Sequence, residues 1–114
     1  MDKCEIRSAH SSSGATVVHL SGPLTLNTLF EFQDLVRKEH PGLLIVLAEV
    51  PYMDSAGLGA ILSAYASCQR HKKNFALASV PERIMTLLRM TKVDSLVPQY
   101  ATVEAAEKDW GVKA

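Results

Sequence analysis

Hydrophobic and polar positions change period several times along the chain, and each change marks an element. Residues 4–8, Cys-Glu-Ile-Arg-Ser, alternate weakly and predict a short, half-polar strand. Ser11-Ser12-Ser13-Gly14 is a turn cluster. From Ala15 to Ser21 the alternation is regular, with Thr16, Val18 and Leu20 on one face and Val17, His19 and Ser21 on the other. A half-buried strand follows from that pattern, paired in a hairpin with the first. Gly22-Pro23 closes it.

The period then becomes helical. Leu29, Phe32, Leu35 and Val36 share one face of a helix that Asn27 or Thr28 would cap and Pro41-Gly42 would stop. Leu43 to Ala48 is apolar at every position, as expected of a central strand buried on both faces in a parallel sheet. After a link over Glu49 to Met53, a second helix is predicted from about Ser55 to Lys73, with Leu58, Ile61, Leu62, Tyr65 and Cys68 inward. Phe75 to Val80 reads as another short strand. Ser79-Val80-Pro81-Glu82 has capping-box spacing and a proline near the start of a third helix, lined by Ile84, Leu87 and Leu88. Val97 to Tyr100 predicts a last strand, and Thr102 a cap for a terminal helix carrying Val103, Ala106 and Trp110 on one face.

The resulting order is β-β-α-β-α-β-α-β-α. It implies an α/β fold with a mixed four- to five-stranded sheet, about four helices and right-handed crossovers between parallel strands. With 114 residues, no internal repeat and no linker, the chain reads as one domain over 1–114. An apolar fraction of 47% and a charged fraction of 21% exclude wholesale disorder. The 12 basic residues balance 12 acidic ones, so no net field draws the protein to nucleic acid or to an anionic membrane.

No apolar run approaches the roughly 20 residues that span a bilayer, so direct membrane insertion is not expected. Met1-Asp2-Lys3-Cys4-Glu5 lacks the apolar stretch of a secretory signal, and Cys4 does not read as a lipid-modified cysteine. Cys4 and Cys68 are unpaired in motif terms, the usage of a reducing compartment. The expected location is therefore cytoplasmic.

Candidate chemistry concentrates in Met53-Asp54-Ser55-Ala56-Gly57-Leu58-Gly59, between the buried strand and the second helix. Functional residues of open α/β sheets gather at such carboxyl ends of strands. Asp54 and Ser55 fall where a helix cap belongs, and Asp54 is read as the cap. Gly57 and Gly59 oppose helix propensity in the first turn. Without side chains they either help the helix pack on the sheet or let another molecule approach the backbone.

The run Asp54-Ser55-Ala56-Gly57-Leu58-Gly59, following an apolar strand and opening a helix, resembles the signature of the STAS domain. More narrowly, it is similar to the bacterial anti-sigma factor antagonists. Leu20-Ser21-Gly22 matches the family's Leu-x-Gly turn, and Leu44 to Leu47, Tyr52-Met53 and Phe75 to Ser79 fall in register with it. The resemblance implies a non-catalytic binding module. Its unphosphorylated form would bind an anti-sigma factor with serine kinase activity and free a sigma factor. Phosphorylation at Ser55 would release it, and a serine phosphatase would reset it.

The implied docking patch comprises Thr25, Asn27, Thr28, Tyr52, Met53 and the start of the second helix, Asp54 to Gly59. Met53 and Leu58 are residue types more often found in a core. Where the family often has Gly-Glu-Leu-Asp, this chain has Gly22-Pro23-Leu24-Thr25, without either acidic residue. The alternative reading is a non-switching STAS interaction subunit of a transport complex or signalling scaffold.

Enzymatic readings find little support. A Gly-x-Ser-x-Gly elbow is absent, and nothing brings His10, His19, His40 or His71 to Ser55. Gly57-Leu58-Gly59 lacks the third glycine of a dinucleotide fingerprint, and no P-loop lysine pattern occurs. The His and Cys residues lack metal-ligand spacing, and no cofactor is implied. Arg70-His71-Lys72-Lys73 ends a helix, where basic residues complement the dipole.

Overall fold

The first two strands, β1 (Glu5–His10) and β2 (Thr16–Ser21), pair antiparallel with Ile6 opposite Leu20 and Ala9 opposite Val17. The computed structural model describes residues 3–11 and 14–111. Met1 and Asp2, and Ser12 and Ser13 of the expected turn cluster, lie outside the described residues. The chain continues through α1 (Phe30–Arg37), β3 (Gly42–Glu49), α2 (Ser55–Arg70), β4 (Asn74–Ala78), α3 (Glu82–Met90), β5 (Gln99–Tyr100) and α4 (Val103–Asp109). This is the β-β-α-β-α-β-α-β-α order expected from the periodicity.

The strands form one sheet in the order β1-β2-β3-β4-β5. Only β1 runs against its neighbour; β2, β3, β4 and β5 pair in parallel. Leu43 to Leu47 of β3 are buried, as a central strand covered on both faces requires. Ala48 is not; it is exposed as β3 leaves the sheet.

One face packs Val18, Leu20, Leu43, Ile45 and Leu77 against Phe32 of α1, Leu58 and Ile61 of α2, and Ile84 and Leu88 of α3. The other, smaller layer joins Val17, Leu44, Val46, Ala76 and Ala78 to Ala106 of α4, with Trp110 packed alongside. Among the described residues no helix is long and apolar enough to cross a membrane.

Several expected boundaries move: β1 covers Glu5–His10 rather than 4–8, β5 only Gln99–Tyr100 rather than Val97–Tyr100, and α1 ends at Arg37, before Pro41-Gly42. α1 starts after Leu29 rather than at a cap on Asn27 or Thr28. The Thr28 hydroxyl is committed to the preceding turn, accepting from the Thr25 N–H at 2.8 Å and donating to the Pro23 carbonyl at 2.7 Å. α2 ends at Arg70, because Lys72 turns left-handed (φ 56°) and the Lys73 N–H closes back on the Cys68 carbonyl at 2.8 Å. β4 ends at Ala78, since Ser79 takes φ 54°. Ser79 does not cap α3, whose first turn has no side-chain cap; its hydroxyl donates to the Ala101 carbonyl instead. Thr102 does cap α4, accepting from the Ala105 N–H at 3.0 Å.

Candidate functional site

Two loops leave the carboxyl ends of the adjacent parallel strands β2 and β3, and hydrogen bonds tie them together beyond the strands. The Gly22 N–H donates to the Glu49 carbonyl at 2.9 Å, and the Leu24 N–H to the Tyr52 carbonyl at 3.1 Å. The Asp54 N–H returns to the Leu24 carbonyl at 3.3 Å, and Leu24 bridges Met53 in parallel. The parallel ladder is thereby extended to the doorstep of α2.

Gly57 makes this approach possible, and Gly22 a separate one to the segment before β1. Gly22 has φ 111°, and a Cβ there would lie 2.0 Å from the Lys3 carbonyl oxygen. At Gly57 a Cβ would lie 2.1 Å from the Leu24 carbonyl oxygen. The molecule that comes close to Gly57 is thus the chain itself, at Leu24. Gly59 differs: it is exposed, and a Cβ there would meet nothing within 4 Å.

Asp54 fastens the platform. One carboxylate oxygen accepts from the Gly57 N–H at 2.8 Å, capping α2, and the other accepts from the Leu26 N–H at 3.0 Å in the opposite loop. These bonds, that to Gly57 foremost and that to Leu26 next, hold its pKa below the ordinary aspartate value. A carboxylate that is fully engaged and hard to protonate is a cap and a poor base. The capping role expected of Asp54 is therefore the one it has.

Ser55 follows as the first residue of the 16-residue helix α2, and it is exposed. At that position a hydroxyl stands at the positive end of the helix dipole, beside backbone N–H groups that have no intrahelical partner. None of the four histidines lies in the two loops. His10 is on β1, His19 on β2 and His40 before β3, while His71 caps the far end of α2.

The structure brings the expected contact residues to one end of the sheet with unequal exposure. Asn27, Tyr52, Asp54, Ser55 and Gly59 are exposed, and Thr25, Thr28 and Ala56 are half-buried. Met53, Gly57 and Leu58 are buried, so they support the platform from below and present little surface. Thr25 accepts from the Asn27 N–H at 3.3 Å, and Pro23 and Leu24 are buried. The neutral Gly22-Pro23-Leu24-Thr25 turn is therefore held by packing and hydroxyls rather than by carboxylates.

Sequence reasoning missed Leu26 and Phe30. They are 60% and 59% exposed, and with Tyr52 at 43% they are large apolar side chains left open near the site. Their signal was present: Leu26 interrupts a polar turn, and Phe30 lies off the Leu29–Phe32–Val36 stripe.

The STAS domain family model matches residues 7–106. The chain belongs to the STAS domain family. A Thermotoga neapolitana protein provisionally named an anti-sigma factor antagonist is 33% identical over 75 residues, 66% of each chain. The anti-sigma-B factor antagonist of Listeria monocytogenes is 33% identical over 60 residues, 53% of each chain. This STAS chain thus spans about two thirds of the length of one curated relative and about half of the other. The crystal structure of a Thermotoga maritima protein, also provisionally named an anti-sigma factor antagonist, has the same fold. It superposes with a TM-score of 0.79 at 24% identity, covering 91% of this chain and 92% of that one.

Proposed function

We propose that this STAS domain is an anti-sigma factor antagonist whose docking is switched at Ser55. The observation that carries the reading is the division of labour between two adjacent residues. Asp54 is engaged through both oxygens in holding the loops, while Ser55 presents an exposed hydroxyl from the same helix start. The names of the Thermotoga and Listeria relatives support the class of partner.

In the unphosphorylated state the docking face comprises Leu26, Asn27, Tyr52, Ser55 and Gly59, with apolar contact from Leu26 and Tyr52. It binds an anti-sigma factor in the cytoplasm and frees a sigma factor for transcription. The anti-sigma factor is also the serine kinase and supplies both nucleotide and base. The Ser55 Oγ takes the terminal phosphoryl group of ATP, its proton passes to the kinase base, and ADP leaves.

Phosphoserine adds roughly −1.5 to −2 charges. The start of α2 tolerates them, because the positive end of the helix dipole there favours an anion. An interface does not. The dianion lies next to ionised Asp54 and close to an apolar contact patch, so docking must desolvate charge without compensation. The phosphorylated form keeps its fold and loses its partner, and a serine phosphatase reverses the change. The domain itself performs no catalysis.

The test is incubation with ATP and a candidate anti-sigma factor of the histidine-kinase-like ATPase class, followed by mass spectrometric mapping. One phosphate on Ser55, absent in Ser55→Ala, is expected. A label on Thr25 or Thr28, or none, contradicts the proposal.

A further inference from the structure

Among the described residues β1 pairs with β2 on one side only, and its outer backbone groups face away from the sheet with no strand beside them. We propose that this edge is a dimerisation edge, on which two copies of the chain pair β1 antiparallel to β1 about a two-fold axis at Ile6. The inference does not depend on phosphorylation, and Asn27 is all that its groove shares with the exposed docking face.

Symmetry restricts the register. A two-fold axis normal to the sheet sets residues equally spaced before and after a central residue opposite each other, and opposite residues share a face. Centred on Ile6, Glu5 of one copy meets Arg7 of the second copy, and the pair occurs twice. Centred on Arg7, two guanidinium groups would oppose each other. Centred on Ser8, Arg7 would face Ala9 and both charges would lack a partner. Charge therefore selects the Ile6 register.

Glu5 and Arg7 are exposed, and neither forms an ion pair among the described residues. Charges on an edge strand normally discourage pairing. Here two opposite charges two residues apart, on one face, make the edge complementary to itself.

The other face of the strand supports the same occupant. Ile6 packs against the main core, and a groove of about 550 Å³ runs between β1 and the start of α1, lined by Ile6 with its neighbours Glu5 and Arg7 and by Asn27, Thr28 and Phe30 among others. Phe30 leaves 59% of its surface exposed in the single chain. In the Ile6 register, Ile6 of the second copy lies opposite Ile6 on this groove side. Backbone pairing would supply affinity and the Glu5–Arg7 contacts register, as in other strand-addition interfaces.

Sedimentation equilibrium of the full chain tests the proposal. The unmodified protein should show a concentration-dependent dimer. Glu5→Arg and Arg7→Glu, each folded by far-ultraviolet circular dichroism, should each dimerise about tenfold more weakly or worse. An equimolar mixture of the two variants should recover the dimer, because their charges are then complementary at both positions. The double variant Glu5→Arg/Arg7→Glu should also dimerise. A monomer at every concentration overturns the proposal, as does a single variant that pairs as tightly as the unmodified chain. So does a mixture no tighter than its components.

Discussion

Asp54 and Leu26, 28 residues apart in sequence, are joined by a 3.0 Å hydrogen bond from the Leu26 N–H to the Asp54 carboxylate. Because the other carboxylate oxygen caps α2 at Gly57, one side chain couples the loop after β2 to the helix after β3. The surface around Ser55 is set by that coupling. Replacing Asp54 by Ala should cost about 1–2 kcal/mol in urea unfolding, since two backbone donors lose their acceptor.

The same residue gives a pH dependence. Its pKa in the folded chain lies below the unfolded value, so its contribution is complete above the unfolded pKa of about 3.9. It is lost as pH falls through the lower, folded pKa. Asp54→Asn should accordingly flatten the acid limb of the stability curve below about pH 4. An unchanged acid limb would contradict this assignment.

Gly57 and Gly59 should respond oppositely to alanine. At Gly57 the added Cβ meets the Leu24 carbonyl at 2.1 Å, a backbone atom that can yield only by separating the loops. A loss of about 2–3 kcal/mol is expected. At Gly59 nothing lies within 4 Å, and alanine should stabilise the helix by about 0.5–1 kcal/mol. Thermal melts of the two variants check both signs.

Leu26→Ser and Tyr52→Ala should leave folding stability within about 0.5 kcal/mol, because both side chains are exposed. Affinity for the anti-sigma factor should fall about tenfold or more for each, as expected of apolar anchors in a docking face. Calorimetric titration of the partner separates this outcome from a loss of folding.

His40 is buried, and its Nδ1 has no hydrogen-bond partner among the described residues. Burial, and secondarily the charge of Lys73, push its pKa below the ordinary histidine value. The unfolded chain therefore binds the proton first. Stability should decline as pH falls below about 6.5 and level off once the folded state is protonated too. His40→Leu should remove that slope in urea titrations across the range.

Much of this was legible in the sequence because period and punctuation agreed. The unbroken Leu43–Leu47 run, the alternation over Thr16–Ser21 and the Thr102 cap each admitted one reading. Boundaries were lost where side chains were recruited from a distance. The Thr28 hydroxyl looked like a cap for α1, but it closes a turn through Pro23 and Thr25. Ser79 looked like a cap for α3, yet it bonds to Ala101 on the segment leading into α4. The Asp54 cap was visible in sequence, whereas its second bond to Leu26 depends on β2 and β3 being neighbours. The role of Gly57 required the same knowledge, since no spacing rule reveals that Leu24 lies against it.

The central claim is that Ser55 carries the switch without reshaping the domain. Its most direct test is the affinity of stoichiometrically phosphorylated and unmodified protein for the anti-sigma factor, with backbone amide NMR spectra of both forms. The account predicts binding at least about a hundredfold weaker after phosphorylation, with shift changes confined to residues 22–30 and 50–60. Equal affinity, or shifts spread across the whole sheet, would contradict it.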